Sequence, residues 1–188
     1  LLGRAAKNNY SLKQRYSLLD RISLALKTIA SDQKDLPYVA SVIEILGVAN
    51  LPIFHNRLVA FLQHENEEIV KTTIKAIGTA TDLEMVQHII PFLAEKAFRP
   101  TVLEAFNVYG QQILPILKNH VAERRQPLSV LRFIPAAMQA FYSKEAVHQL
   151  LGILNHEDLT VRLEVVRALS AIRATHPQLK FNKYKVVS

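Results

Sequence analysis

A large apolar residue followed seven positions later by a small one recurs at nearly constant spacing, and this beat restricts the fold more than any bulk property of the chain. It is carried by Ile69 and Ala76, Phe98 and Ala105, Val130 and Ala137, and Val161 and Ala168. A degenerate copy pairs Tyr38 with Ile45, so the second position falls at 45, 76, 105, 137 and 168, with spacings of 31, 29, 32 and 31. Residues seven apart share one face of an α-helix, and a sequence period between 20 and 50 residues marks a stack of similar supersecondary units.

Each beat has the pattern of a helical pair. In the last copy Val161, Val165, Leu169 and Ile172 are spaced by three and four, which predicts one buried stripe, with Arg162, Arg167 and Arg173 mostly elsewhere. The small residue lets two helix axes approach closely, because interaxial distance follows the side chains at the crossing. Apolar-rich segments at 53–64, 82–95, 111–123 and 144–155 are the expected first helices. Asn66 and Asp158 are expected N-caps of second helices, Asp82 or Thr81 and Ser143 of first helices, and Gly110 a helix closure. No strand-length alternation interrupts the pattern. The fold class expected is all-α, a right-handed α-α superhelix of about four to five helical pairs. Residues 1–36 are read as a capping or linker helix, 37–175 as the repeats, and 176–188 as a C-terminal extension or linker.

The pairing of Val161-Arg162 with Ala168-Leu169 after the polar turn "NHED" resembles the short HEAT repeats of the phycobilisome-lyase type. The resemblance spans about residues 37–175 and implies a solenoid, while that repeat type serves lyases and scaffolds alike. The slot that the repeat usually fills with Arg holds Val39, Val70, Arg99, Leu131 and Arg162, so a ladder of Asp-to-Arg contacts between neighbours is mostly missing. A second resemblance rests on Tyr109-Gly110, the run Arg132 to Pro135, and "RATHPQLKF" from Arg173 to Phe181. It is to the HEAT segment of bacterial nucleotide-transporter-like membrane proteins, of the ATP/ADP translocase-like kind. It implies a cytoplasmic segment of an inner-membrane protein.

Charge distribution bears on partners. The chain of 188 residues carries a formal net charge of +7. Residues 1–30 hold Arg4, Lys7, Lys13, Arg15, Arg21 and Lys27 against Asp20, and residues 173–188 hold Arg173, Lys180, Lys183 and Lys185 against no carboxylate. The intervening stretch is slightly acidic, which argues against nucleic acid, whose binding needs many phosphate-neutralising contacts along the body of a domain. No uninterrupted apolar run reaches the ~20 residues of a membrane-spanning helix. With no Cys, disulfides, thiolate metal sites and a Cys nucleophile are excluded. The chain opens on Leu1 and reads as part of a longer protein.

The conspicuous chemistry is a His-carboxylate run that occurs twice, in "LQHENEEIV" at His64 and in "LNHEDLTV" at His156. Three repeats apart, the two histidines are expected about 25–30 Å from each other, far beyond the ~2 Å ligand distances of a shared metal. A structural turn is the expectation. The other histidines, His55, His88, His120, His148 and His176, are scattered, and five glycines form no phosphate-binding loop. No catalytic, cofactor-binding or metal-ligating residue is expected, and no cofactor. Arg99, Arg124, Arg125 and Arg132 form the best internal basic cluster and are the candidate partner surface. Leu12, Tyr16, Leu19, Ile22, Leu26 and Ile29 line one side of an expected amphipathic helix. That helix either caps the repeats or lies on a membrane surface, and both roles are compatible.

The function expected is therefore a non-catalytic scaffold binding protein domains, with a membrane surface as a second partner near the N-terminus. The alternative is a HEAT-like enzyme of the DNA-glycosylase or chromophore-lyase kind, or a nucleic-acid-binding repeat protein. A glycosylase would need stacking aromatics in a basic groove, and this chain has no Trp.

Overall fold

The computed structural model describes residues 12–31 and 35–179. Arg4, Lys7, Lys180, Lys183 and Lys185 of the two basic ends lie outside those residues. Among the described residues every regular element is helical, and the fold is all-α. The chain divides into two compact units, Leu1–His88 and Ile89–Ser188.

The first unit begins with α1 (Leu12–Ser31) and α2 (Leu36–Ala49). A 3-10 turn at Pro52–Phe54, α3 (His55–Ala60) and a second 3-10 turn at Phe61–Gln63 follow as one short, tight run. Then come α4 (Glu67–Ala80) and a 3-10 turn at Leu83–Met85, which leads into α5 (Val86–Ile89) across the boundary. The second unit continues with a 3-10 turn at Ile90–Ala94, α6 (Arg99–Tyr109), a 3-10 turn at Gly110–Ile113 and α7 (Leu114–Ala122). It ends with α8 (Leu128–Leu131), α9 (Ile134–Gln139), α10 (Lys144–Leu151) and α11 (Leu159–Thr175). Proline opens many of these elements, at Pro37, Pro52, Pro91, Pro100, Pro115 and Pro135. In a first turn its missing N–H has no intrahelical acceptor to lose and its fixed φ already suits the helix.

Helix starts are set by side-chain caps. Asn66 Oδ1 accepts the N–H groups of Glu68 and Ile69, and Asp158 Oδ1 those of Thr160 and Val161. Asp82 caps through the N–H of Glu84, Ser143 through that of Ala146 and Asp35 through that of Tyr38. Helix ends are set by backbone. Asn50, Thr81, Gly110 and Tyr142 all have positive φ, at 44°, 53°, 73° and 42°. Their spacings of 31, 29 and 32 repeat the sequence beat, each lying five residues beyond its second position. Such a residue reverses the chain and lets its N–H return to a carbonyl of the last turn, as Thr81 does to Gly78 at 3.2 Å and Asn50 to Leu46 at 3.0 Å.

The eight residues of the four clear copies are all buried: Ile69 2%, Ala76 4%, Phe98 8%, Ala105 3%, Val130 3%, Ala137 2%, Val161 0% and Ala168 1% exposed. The degenerate copy is placed differently. Tyr38 and Ile45 are 39% and 49% exposed, whereas Val39 and Leu46 are 2% and 3% exposed. The packing face of α2 is therefore shifted by one residue, because its small contact residue is Gly47. A Cβ on Gly47 would stand 2.6 Å from the Ala76 carbonyl oxygen and 2.8 Å from its Cα and Cβ, so α2 and α4 touch backbone to backbone. Ile43, Ile74 and Ile77, each 0% exposed, surround this approach and contribute about 1.5–3 kcal/mol apiece by leaving water. Among the described side chains of α1 only Ile22 is fully covered; Leu19, Leu26 and Ile29 are half-buried, Tyr16 of the expected stripe is 65% exposed, and the Leu12 side chain lies outside those described.

Two substitutions probe these constraints in opposite directions. Gly47→Ala gains helix propensity but drives a methyl into backbone, so a net loss of about 1–2 kcal/mol is expected in urea denaturation. Thr81→Gly removes a β-branched residue from a left-handed position at the exposed end of α4. It should raise the unfolding free energy by about 0.5–1 kcal/mol in the same denaturation.

Candidate functional site

The His-carboxylate turns were the strongest chemical signal, and the structure shows what each atom does. The His64 N–H reaches the Phe61 carbonyl at 3.2 Å, and the His156 N–H the Ile153 carbonyl at 3.2 Å, closing the preceding helical run. His64 Nδ1 then accepts the N–H of Asn66 at 3.0 Å, and His156 Nδ1 that of Asp158 at 3.1 Å. Each cap side chain in turn satisfies two N–H groups of the next helix. The two turns are thus the same device: an imidazole holding the cap residue, and the cap residue holding the helix. An accepting Nδ1 carries no proton, so both rings act as neutral acceptors here. Among the described residues no group of three or more His, Asp or Glu side chains could hold a metal ion.

The four arginines of the candidate partner surface fall into two settings. Arg99 Nε donates to the Leu93 carbonyl at 2.6 Å and Nη2 to the Ala94 carbonyl at 3.2 Å, closing the 3-10 turn that precedes α6. Its guanidinium lies 3.8 Å from the centroid of the Phe133 ring, and that of Arg132 4.8 Å from the same centroid. A planar fork is required for this, since it serves two carbonyls and an aromatic face at once. Arg124 pairs with Glu157 of the second His-carboxylate turn, and Arg125 with Glu123. Both pairs are exposed, and such pairs contribute at most about 1 kcal/mol. The basic cluster is thus largely committed to intramolecular contacts.

Two polar features were not singled out in the sequence. In the first unit, Asn50 Nδ2 donates to the Ala80 carbonyl at 2.9 Å, its Oδ1 accepts from His55 Nε2 at 3.1 Å, and His55 Nδ1 lies 3.8 Å from Asp82 Oδ2. The node latches the left-handed end of α2 to the end of α4; Asp82 meanwhile caps the next turn. Its sequence signal is the beat itself, because Asn50 and Thr81 occupy equivalent closures. In the second unit, His120 is 4% exposed, and its Nδ1 and the Nε2 of His156 are buried without a hydrogen-bond partner among the described residues. Burial pushes the His120 pKa below its ordinary 6.5; the Arg125 charge adds to that, and Glu123 opposes it.

An exposed apolar stripe runs along α11, beside the scattered exposed apolar residues of other elements such as Ile45 and Val48 of α2. Leu159, Leu163 and Val166 are 71%, 48% and 48% exposed at spacings of four and three, on the side away from Val161, Val165 and Ala168. The helix therefore has two apolar faces, of which one is covered.

The chain matches no protein-family model and no curated protein sequence.

His120 provides a pH test. The folded state resists protonating the buried ring, so below about pH 6.5 the unfolded chain binds more protons. Stability should be full above that value and fall as pH drops toward the lowered folded pKa. His120→Leu, followed by thermal denaturation at about pH 7.5 and 5.5, should flatten that part of the profile. An unchanged slope would show that other groups set it.

Proposed function

We propose that this chain is a HEAT-like helical-repeat scaffold that binds or spaces protein domains and performs no chemistry. The observation that carries the reading is the coincidence of two independent periodicities, the buried small residues at 76, 105 and 137 and the positive-φ closures at 81, 110 and 142. This coincidence supports a repeated backbone unit, and stacked units of that kind offer an extended surface in place of a single enclosed site. The His-carboxylate runs, which were the best candidates for acid-base chemistry, are occupied in building the turns.

The partner face in this reading is the exposed stripe of α11, since contiguous apolar residues at helical spacing are what a second helix or domain covers. Of the three sequence cues to the transporter-like proteins, two fall on packed positions: Tyr109 is 3% exposed before the Gly110 closure, and Ile134 and Pro135 are buried. The arrangement we favour is a cytoplasmic segment of a membrane protein, with the basic residues before position 31 on the membrane side. Among the described residues no helix is long and apolar enough to cross a membrane, so the span in this arrangement lies outside them.

A photo-cross-linking residue at Leu163, compared with one at exposed Glu104, tests the scaffold reading in cells producing the full-length protein. A discrete adduct at position 163 and none at 104 is expected. Equal labelling at both, or none at 163, would remove α11 as a partner face.

A further inference from the structure

A groove of about 530 Å³ lies in the first unit between α1 and the run that includes α3. Its walls are apolar: Leu26 and Ile29 come from α1, and Ile53, Phe54 and Phe61 from the facing run. Ile53 is 74% exposed, an apolar side chain left in water at the rim. Two cations, Lys27 and Arg57, also line the groove, and no carboxylate does. Neither has an ion-pair partner among the described residues, in contrast to Arg124 and Arg125. The volume lies within the roughly 300–1,000 Å³ of small-molecule sites, which are mostly apolar with a few polar groups to orient the ligand.

We propose that this groove binds a free fatty acid, its acyl chain against Leu26, Ile29, Ile53, Phe54 and Phe61 and its carboxylate on Lys27 and Arg57. Charge complementarity selects the head group. Two cations on an apolar wall, with no acidic partner among the described residues, leave positive charge uncompensated, and a carboxylate can accept from both without a donor of its own. The lining selects the tail. Apart from Ser23 the groove has no uncharged polar side chain, so a ligand with several hydrogen-bonding groups would lose water contacts without replacement. The site shares no residue with the α11 face and does not depend on the scaffold reading.

Isothermal titration with octanoate, decanoate and laurate, each below its micelle concentration, tests the assignment on the full chain. One saturable site is expected, tightening about fourfold per added methylene until the groove is filled. Lys27→Glu together with Arg57→Glu should weaken laurate at least tenfold while leaving the melting temperature of the free protein unchanged, and neutral dodecanamide should bind as weakly to the natural chain. Equal affinity for the amide and the acid, no effect of charge reversal, or no saturable binding would overturn the proposal. So would flotation with phosphatidylglycerol vesicles that laurate does not compete for, which would assign the two cations to a bilayer surface.

Discussion

The closure of the second helices by a positive-φ residue, at Asn50, Thr81, Gly110 and Tyr142, is the constraint on which the rest of the structure depends. An α-helix ends with carbonyls that have no intrahelical partner, and a residue with positive φ turns the chain so that following N–H groups reach them. At Thr81 and Tyr142 the next residue, Asp82 or Ser143, is the cap of the following element. Closing one helix and opening the next thus takes two residues. The cost of placing Thr and Tyr where glycine is favoured is accepted because the short connection holds the neighbouring helix against the buried face.

The opposite turn, from first helix to second, is built from side chains. There a histidine ring accepts the N–H of the Asn or Asp cap two residues on, and the cap side chain accepts the first N–H groups of the next helix, at positions 64–66 and 156–158. In the second copy the middle residue, Glu157, also receives Arg124, tying the end of α7 to the start of α11. A pattern with the composition of an acid-base pair is consumed by main-chain satisfaction. Buried or half-buried backbone donors must be paired, and a nearby imidazole nitrogen does so at little entropic cost.

How much of this was legible depends on whether the signal is local. The caps at Asn66, Asp82, Ser143 and Asp158 follow from short polar residues before apolar periodicity, and the small residues at 76, 105, 137 and 168 from a spacing that survives substitution. In α2 the same reasoning slipped by one residue. Ile45 was aligned where the structure buries Leu46, because Gly47 does the work that alanine does elsewhere and glycine inside a helix carries no periodic signal. Arg99 was legible as a cation and not as a clamp: Leu93 and Ala94 are close in sequence, but Phe133 is brought to it only by folding.

The sequence by itself determined that the chain is helical, where most of the helices start and which small residues recur, because capping, proline placement and apolar spacing act within a few residues. Tertiary structure decided which polar groups are left over. Burial of His120, pairing of Arg124 with Glu157, and the placement of Lys27 and Arg57 along one apolar groove each depend on segments far apart in the chain. Solvent exclusion and charge separation are properties of that assembly, and no local pattern encodes them.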